Sequence, residues 1–167
     1  MLLKQPFINS KTSMMKKITL VPVLLLLITF SLFVTACKKD KQTNTTMYNI
    51  SATMTGAQES PAVTTNGTGT VSGTYDASTN TLTYNVAWNN LSGAATAAHF
   101  HGPAAAGSNA SVIVPFTIPA GASSVSGSTV LTEAQEIDFL NGLWYANVHT
   151  AAHGGGEIRG QVTATLQ

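Results

Sequence analysis

From Tyr48 onward, apolar and polar residues alternate with a period of two, the pattern of strands that bury one face. Tyr48, Ile50, Ala52 and Met54 alternate with Asn49, Ser51, Thr53 and Thr55, until Gly56-Ala57-Gln58-Glu59-Ser60-Pro61 breaks the run. A second strand is predicted over about 67–75, followed by a turn at 76–80. Leu82, Tyr84, Val86 and Trp88 then mark a third strand that forms a hairpin with the second. Further strands are predicted over 95–101, 112–116, 123–130, 143–149 and 157–166. Pro103 closes the first of these, because proline cannot donate to a central ladder.

One segment follows the helical period instead. Thr132 can cap a helix, Gln135 completes a capping box, and Glu133 sits at the positive N-terminal end. Ala134, Ile137 and Leu140 form the apolar stripe, and Asn141-Gly142 stops the helix. About eight strands, one short helix and no βαβ alternation predict a single all-β domain, an antiparallel sandwich or barrel.

The first part of the chain is different. Lys16 and Lys17 precede an apolar run over 18–34, which ends at Val34-Thr35-Ala36-Cys37. A basic start, a short apolar core and small residues before a cut describe a secretory signal. The only cysteine, Cys37, follows Val-Thr-Ala directly and resembles the lipobox of bacterial lipoproteins, in which the cysteine is acylated. The competing role for Cys37 is a buried structural thiol. The expected organisation is therefore a signal peptide over 1–36, a lipidated flexible tether over 37–47 and a domain over 48–167. Lys38, rather than Asp, follows the cysteine, which by resemblance to lipoprotein sorting rules favours the outer membrane. The expected location is the bacterial cell envelope, with the lipid making the membrane contact.

Charge separates the two parts further. Every lysine lies at or before Lys41, so from Tyr48 onward Arg159 alone faces six carboxylates: Glu59, Asp76, Glu133, Glu136, Asp138 and Glu157. So acidic a domain lacks the cationic footprint that nucleic acid requires. With no second cysteine, no intramolecular disulfide is available.

The unusual polar residues fall in two segments. All four histidines lie in His99-Phe100-His101 and in the stretch from His149 to His153. Two histidines two apart on a strand share a face and can address one metal ion. His149 would be a third ligand if its strand lies alongside, and His153 could fold over from its Gly-rich loop. That set would suit copper or zinc, the only cofactors the sequence suggests. The alternative is that His99 and His149 are buried, neutral and hydrogen-bonded to backbone. Glu157 and Arg159 are also two apart, so a shared face and a bidentate contact are expected, with Glu59 as second acceptor. Those three would form a structural polar core joining the first and last strands. No helix start follows Gly154-Gly155-Gly156, so a hairpin loop is expected there rather than a phosphate cradle. Trp88, Trp144 and Tyr145 could stack on a glycan or peptide partner, with core packing the default for Trp88. No nucleophile–base set is apparent, so no catalytic residue is assigned and a non-enzymatic module is expected.

Four motifs in order carry a resemblance. AQESP at 57–61, AHFHGPA at 98–104, LTEAQEIDFLNG at 131–142, and WYANVHT with GGGEIRGQV resemble the CHRD domain, named from chordin and widespread in bacterial secreted proteins. Ser60 and a single Pro61 stand where the family usually shows a proline pair. The resemblance implies an immunoglobulin-like β-barrel acting as a binding or structural module. In chordin the repeats belong to a growth-factor antagonist, and bacterial members have no established activity, so the partner here is an unspecified protein or glycan. A His-x-His strand in a small exported barrel is also similar to copper-zinc superoxide dismutase. The remaining ligand and disulfide pattern of that enzyme is absent, so weak redox activity is at most the alternative to a binding module.

Overall fold

The computed structural model describes residues 45–167; the expected signal peptide, Cys37 and most of the expected tether lie outside the described residues. Nine strands form one sheet: β1 (Met47–Thr55), β2 (Thr68–Asp76), β3 (Thr81–Asn89), β4 (Ala95–His101), β5 (Val112–Pro115), β6 (Ser124–Val130), β7 (Tyr145–Thr150), β8 (Ile158–Gln161) and β9 (Thr163–Leu166). Eight of them run in the order β5-β4-β7-β8-β1-β2-β3-β6 and curl into a nearly closed antiparallel barrel, with β9 paired to β1 off that path. Among the described residues no helix is long and apolar enough to cross a membrane.

Period-two alternation builds the core. Ile50 and Met54 of β1, Val71 and Tyr75 of β2, and Leu82, Tyr84, Val86 and Trp88 of β3 all point inward and are buried. Phe100, Trp144, Ala146, Val148 and Ile158 close the core from the other side. Phe100 meets Tyr84 and Phe116 edge-on, at ring separations of 5.1 and 4.9 Å.

Two expectations change. The stretch over 157–166 is not one strand. β8 pairs with β7, and β9 pairs with the start of β1, from Ser51↔Thr163 to Tyr48↔Leu166. The two are separated at the buried Val162, whose N–H donates to Trp144 O at 2.9 Å. β8 also meets β1, at Thr55↔Arg159, in the register that β9 continues, so Val162 marks where the stretch leaves β7 and runs on along β1 alone.

The helix α1 (Glu133–Leu140) has the expected capping box, but of the expected stripe Ala134 and Ile137 are exposed and only Leu140 packs against the core. Ile137 is 55% exposed, whereas Phe139 is fully buried against Tyr75 and Trp144, at ring separations of 5.6 and 5.3 Å. A helix of about two turns docks mainly through Phe139, with Leu140 beside it, because the aromatic ring buries more area than an aliphatic side chain.

Candidate functional site

Most strands here have one wet face, but β7 does not. Five of its six residues are buried, on both faces, and they include the polar Asn147 and Thr150. Its inner residues Ala146 and Val148 belong to the core. Its outer residues Tyr145, Asn147 and His149 belong to a second, polar layer. Strand register assembles that layer: His99 stands opposite Asn147, which stands opposite Arg159, while His101 stands opposite Tyr145, which stands opposite Gln161. Cross-strand partners project to the same side of a sheet, and alternation keeps residues two apart on that side. The His-x-His and Tyr-x-Asn-x-His patterns therefore share one outer face.

Three of the four histidines converge there. His99, His101 and His149 each offer a ring nitrogen, and these atoms all lie within 4.8 Å of one another. The His99 ring centroid lies 5.3 Å from that of His101 and 5.0 Å from that of His149. Nitrogens about 2.0–2.1 Å from a tetrahedral ion sit about 3.4 Å apart, so small ring rotations suffice to reach that spacing. His153 is not among the three. Its backbone closes the turn after β7, with its N–H donating to Thr150 O at 3.1 Å and its carbonyl accepting from Gly156 N at 3.1 Å.

Hydrogen bonds fix which nitrogens are free. His101 Nδ1 lies 2.9 Å from Ala110 O, and His149 Nδ1 lies 3.1 Å from Gly154 O. A carbonyl only accepts, so both Nδ1 atoms carry hydrogens and each neutral ring keeps its lone pair on Nε2. His149 Nε2 and His99 Nδ1 are buried without a hydrogen-bond partner. Such atoms cost about 1–3 kcal/mol each. Carbonyls that orient the far nitrogen of each ring are the usual outer partners of metal-binding histidines. Burial lowers the His99 pKa, as do the neighbouring His149 and His101, against a smaller opposing contact from Asn147. Burial lowers that of His149 too, opposed by the Gly154 carbonyl and helped by His101. Both rings are therefore neutral at pH 7, the form that binds metal.

A stacked column supports the site from one side. The Tyr145 ring lies parallel to His101, with centroids 4.8 Å apart and an interplanar angle of 2°. The Arg159 guanidinium lies 3.3 Å from the Tyr145 ring centroid. Tyr145 Oη accepts from Ala110 N at 3.2 Å, while Arg159 donates to Asn109 Oδ1 at 3.0 Å and to Ser108 O at 2.5 Å. Asn109 in turn donates to Ser60 O at 3.0 Å. The loop after β4 is thus clamped over the polar layer and tied to the AQESP turn. Tyr145, 3% exposed, is spent in this column, and Trp144 and Trp88 are buried in the core, so none is presented for stacking on a glycan.

The expected Glu157–Arg159 contact is replaced by two separate networks. Glu157 precedes β8 rather than lying within it, after Gly156 with φ +125, so the two-residue spacing does not put it on Arg159's face. Its carboxylate is fully buried and accepts four hydrogen bonds: from Thr65 Oγ1 at 2.6 Å, Ser92 N at 2.8 Å, Ser92 Oγ at 2.5 Å and Thr150 Oγ1 at 2.7 Å. Burial alone would raise its pKa, but those donors together outweigh it and bring the pKa down to about 2. Thr150 and Tyr145 alternate to opposite faces of β7, so their partners Glu157 and Arg159 do too.

Glu59 lies near Arg159 and behaves oppositely. Burial pushes its pKa up to about 7, against the lowering effects of the Arg159 charge and of a backbone hydrogen bond from Ser60. Glu59 is 8% exposed, and its Oε1 is buried without a partner. No salient motif marks Thr65, Ser92 or Asn109. Tyr145 and Asn147 could have been found from the polar members of the β7 alternation.

The family model for the CHRD domain matches residues 50–162, which take in every strand from β2 to β8, most of β1 and every residue of this layer. The chain belongs to the CHRD domain family. No curated protein and no solved structure matches it. CHRD membership supports a binding or structural module and assigns no specific activity.

Proposed function

We propose that this CHRD domain is a metal-binding module of the bacterial cell envelope, holding a copper or zinc ion with His99, His101 and His149. The carrying observation is the convergence of three imidazoles: carbonyls engage Nδ1 of His101 and of His149, while His149 Nε2 and His99 Nδ1 are buried without protein partners. A site of imidazoles without thiolate suits zinc or copper. The experiment is calorimetric titration of metal-free protein, made without a histidine tag, with Zn2+ and Cu2+. The expected result is one equivalent bound, weakened at least about tenfold by His99→Ala, His101→Ala or His149→Ala and unchanged by His153→Ala. A protein that binds no stoichiometric ion leaves the histidines a purely structural role.

The anchor rests on sequence: Cys37 follows Val34-Thr35-Ala36, and Lys38 follows Cys37. In this reading, acylated Cys37 holds the domain to the outer membrane. Signal-peptidase inhibition with globomycin should then accumulate precursor, and Cys37→Ser should abolish palmitate labelling. Equal labelling of the substituted protein would end the lipoprotein assignment.

A further inference from the structure

Three imidazoles leave a tetrahedral ion one position short, and the polar layer places another side chain beside that position. Asn147 is 3% exposed, stands opposite His99 on the neighbouring strand and lies two residues before His149 on the same face. Its Oδ1 is 3.1 Å from His101 Nε2. In a neutral His101 ring, the form that binds metal, that nitrogen carries the lone pair, because Nδ1–H is given to Ala110 O. In that form two acceptors face each other. Reversing the amide would give His101 a donor and turn the amide oxygen towards Glu59 instead. Asn147 Nδ2 and Glu59 Oε1 both flank the space that a Cβ on Gly156 would fill. The reversed amide would turn an oxygen towards that carboxylate, whose Oε1 already lacks a partner. A cation among the rings removes the clash at Oδ1 and keeps Nδ2–H on the side of Glu59, whose Oε1 has no partner in this structure.

We propose that Asn147 is the fourth ligand of the metal centre through Oδ1, and that Glu59 is the carboxylate that accepts from its Nδ2–H; this rests on the three-histidine site proposed above. All four ligands are then neutral, three nitrogens and one amide oxygen. Such a set favours a divalent ion, Zn2+ or Cu2+, over Cu+, which prefers softer sulfur donors. It leaves the charge of the ion uncompensated in the first shell. Glu59 supplies the nearest counter-charge, and a ligand hydrogen-bonded to a carboxylate is both oriented and made a better donor. Glycine at 156 is part of the same arrangement, since any side chain there would collide with Glu59 and Asn147 together. The buried, unpartnered Oε1 of Glu59 is a cost the metal-free fold bears and the loaded site makes use of.

The test compares wild type, Asn147→Ala, Asn147→Asp and Glu59→Gln in the full chain at neutral pH. Zn2+ affinity is read by competition with a chelating dye, and the visible ligand-field bands are read after Co2+ loading. Asn147→Ala should weaken Zn2+ binding about 10–100-fold and shift the Co2+ bands, as loss of an oxygen donor requires. Asn147→Asp, which keeps the oxygen and adds charge, should bind more tightly than wild type. Glu59→Gln should weaken binding by about tenfold with smaller band changes. Wild-type affinity and spectrum in Asn147→Ala would overturn the fourth ligand while leaving the three-histidine site standing. If that variant does not fold, Asn147→Asp decides, and an affinity equal to or below wild type overturns the proposal. Failure of wild type itself to bind Zn2+, Cu2+ or Co2+ removes both the ligand assignment and the site beneath it.

Discussion

Replacing Glu157 by glutamine removes a charge from the interior without removing its shape. The wild-type carboxylate is fully buried and held by four donors, none of them cationic. Its pKa falls from 4.5 to about 2 in the fold. The 2.5-unit difference corresponds to about 3 kcal/mol favouring the folded state wherever the group is ionised. The sign follows from proton counting. Between the two pKa values the unfolded chain binds a proton and the fold does not. The contribution is therefore complete above about pH 5, declines as pH falls, and is gone by about pH 2. In Glu157→Gln, Oε1 can still accept from Thr65 and Ser92 N, and the Ser92 and Thr150 hydroxyls can turn to accept from Nε2. What is lost is the charge-assisted part of the bonds. Urea unfolding of both proteins from neutral pH to about pH 2.5 should give a stability difference of about 3 kcal/mol near pH 7 that shrinks steadily below about pH 5. A difference under about 1 kcal/mol at pH 7, or one that does not vary with pH, would refute the hydroxyl-stabilised carboxylate. Arg159→Met should leave this pH dependence in place, because Arg159 lies on the other face of β7; its disappearance would restore the direct pair.

Glu59 carries the opposite sign. Its folded pKa is raised to about 7, so its favourable contribution is present below about pH 4.5 and is lost as pH rises through 7. Metal-free Glu59→Gln should accordingly be more stable than wild type by up to about 3 kcal/mol at pH 8, and equal to it by about pH 4.5, in thermal melts at both pH values. Arg159→Met should cost about 3–5 kcal/mol and hasten proteolysis of the loop it clamps; an unchanged melting temperature would place little energy in that clamp. Phe139→Ala should cost about 3–5 kcal/mol, whereas Ile137→Ala should stay within about 0.5 kcal/mol, and reversal of that order by chemical denaturation would contradict the way α1 docks.

Local rules determined what depends on near neighbours. The period-two alternation located the strands of the barrel, and the Thr132–Gln135 capping box located α1, because both signals are carried within a few residues. The spacing of His99 and His101 put them on one face, since both lie inside a regular strand. The same spacing misled for Glu157 and Arg159, because Gly156 turns the chain and Glu157 lies outside β8. The break between β8 and β9 at Val162 and the choice of Phe139 over Ile137 also depended on elements far away in sequence: β1, Tyr75 and Trp144. Only register, with β7 between β4 and β8, brought His149 to the His-x-His pair and set Asn147 beside them. Period two identifies which residues share a face of their own strand, but only the long-range hydrogen bonds between strands decide which faces meet.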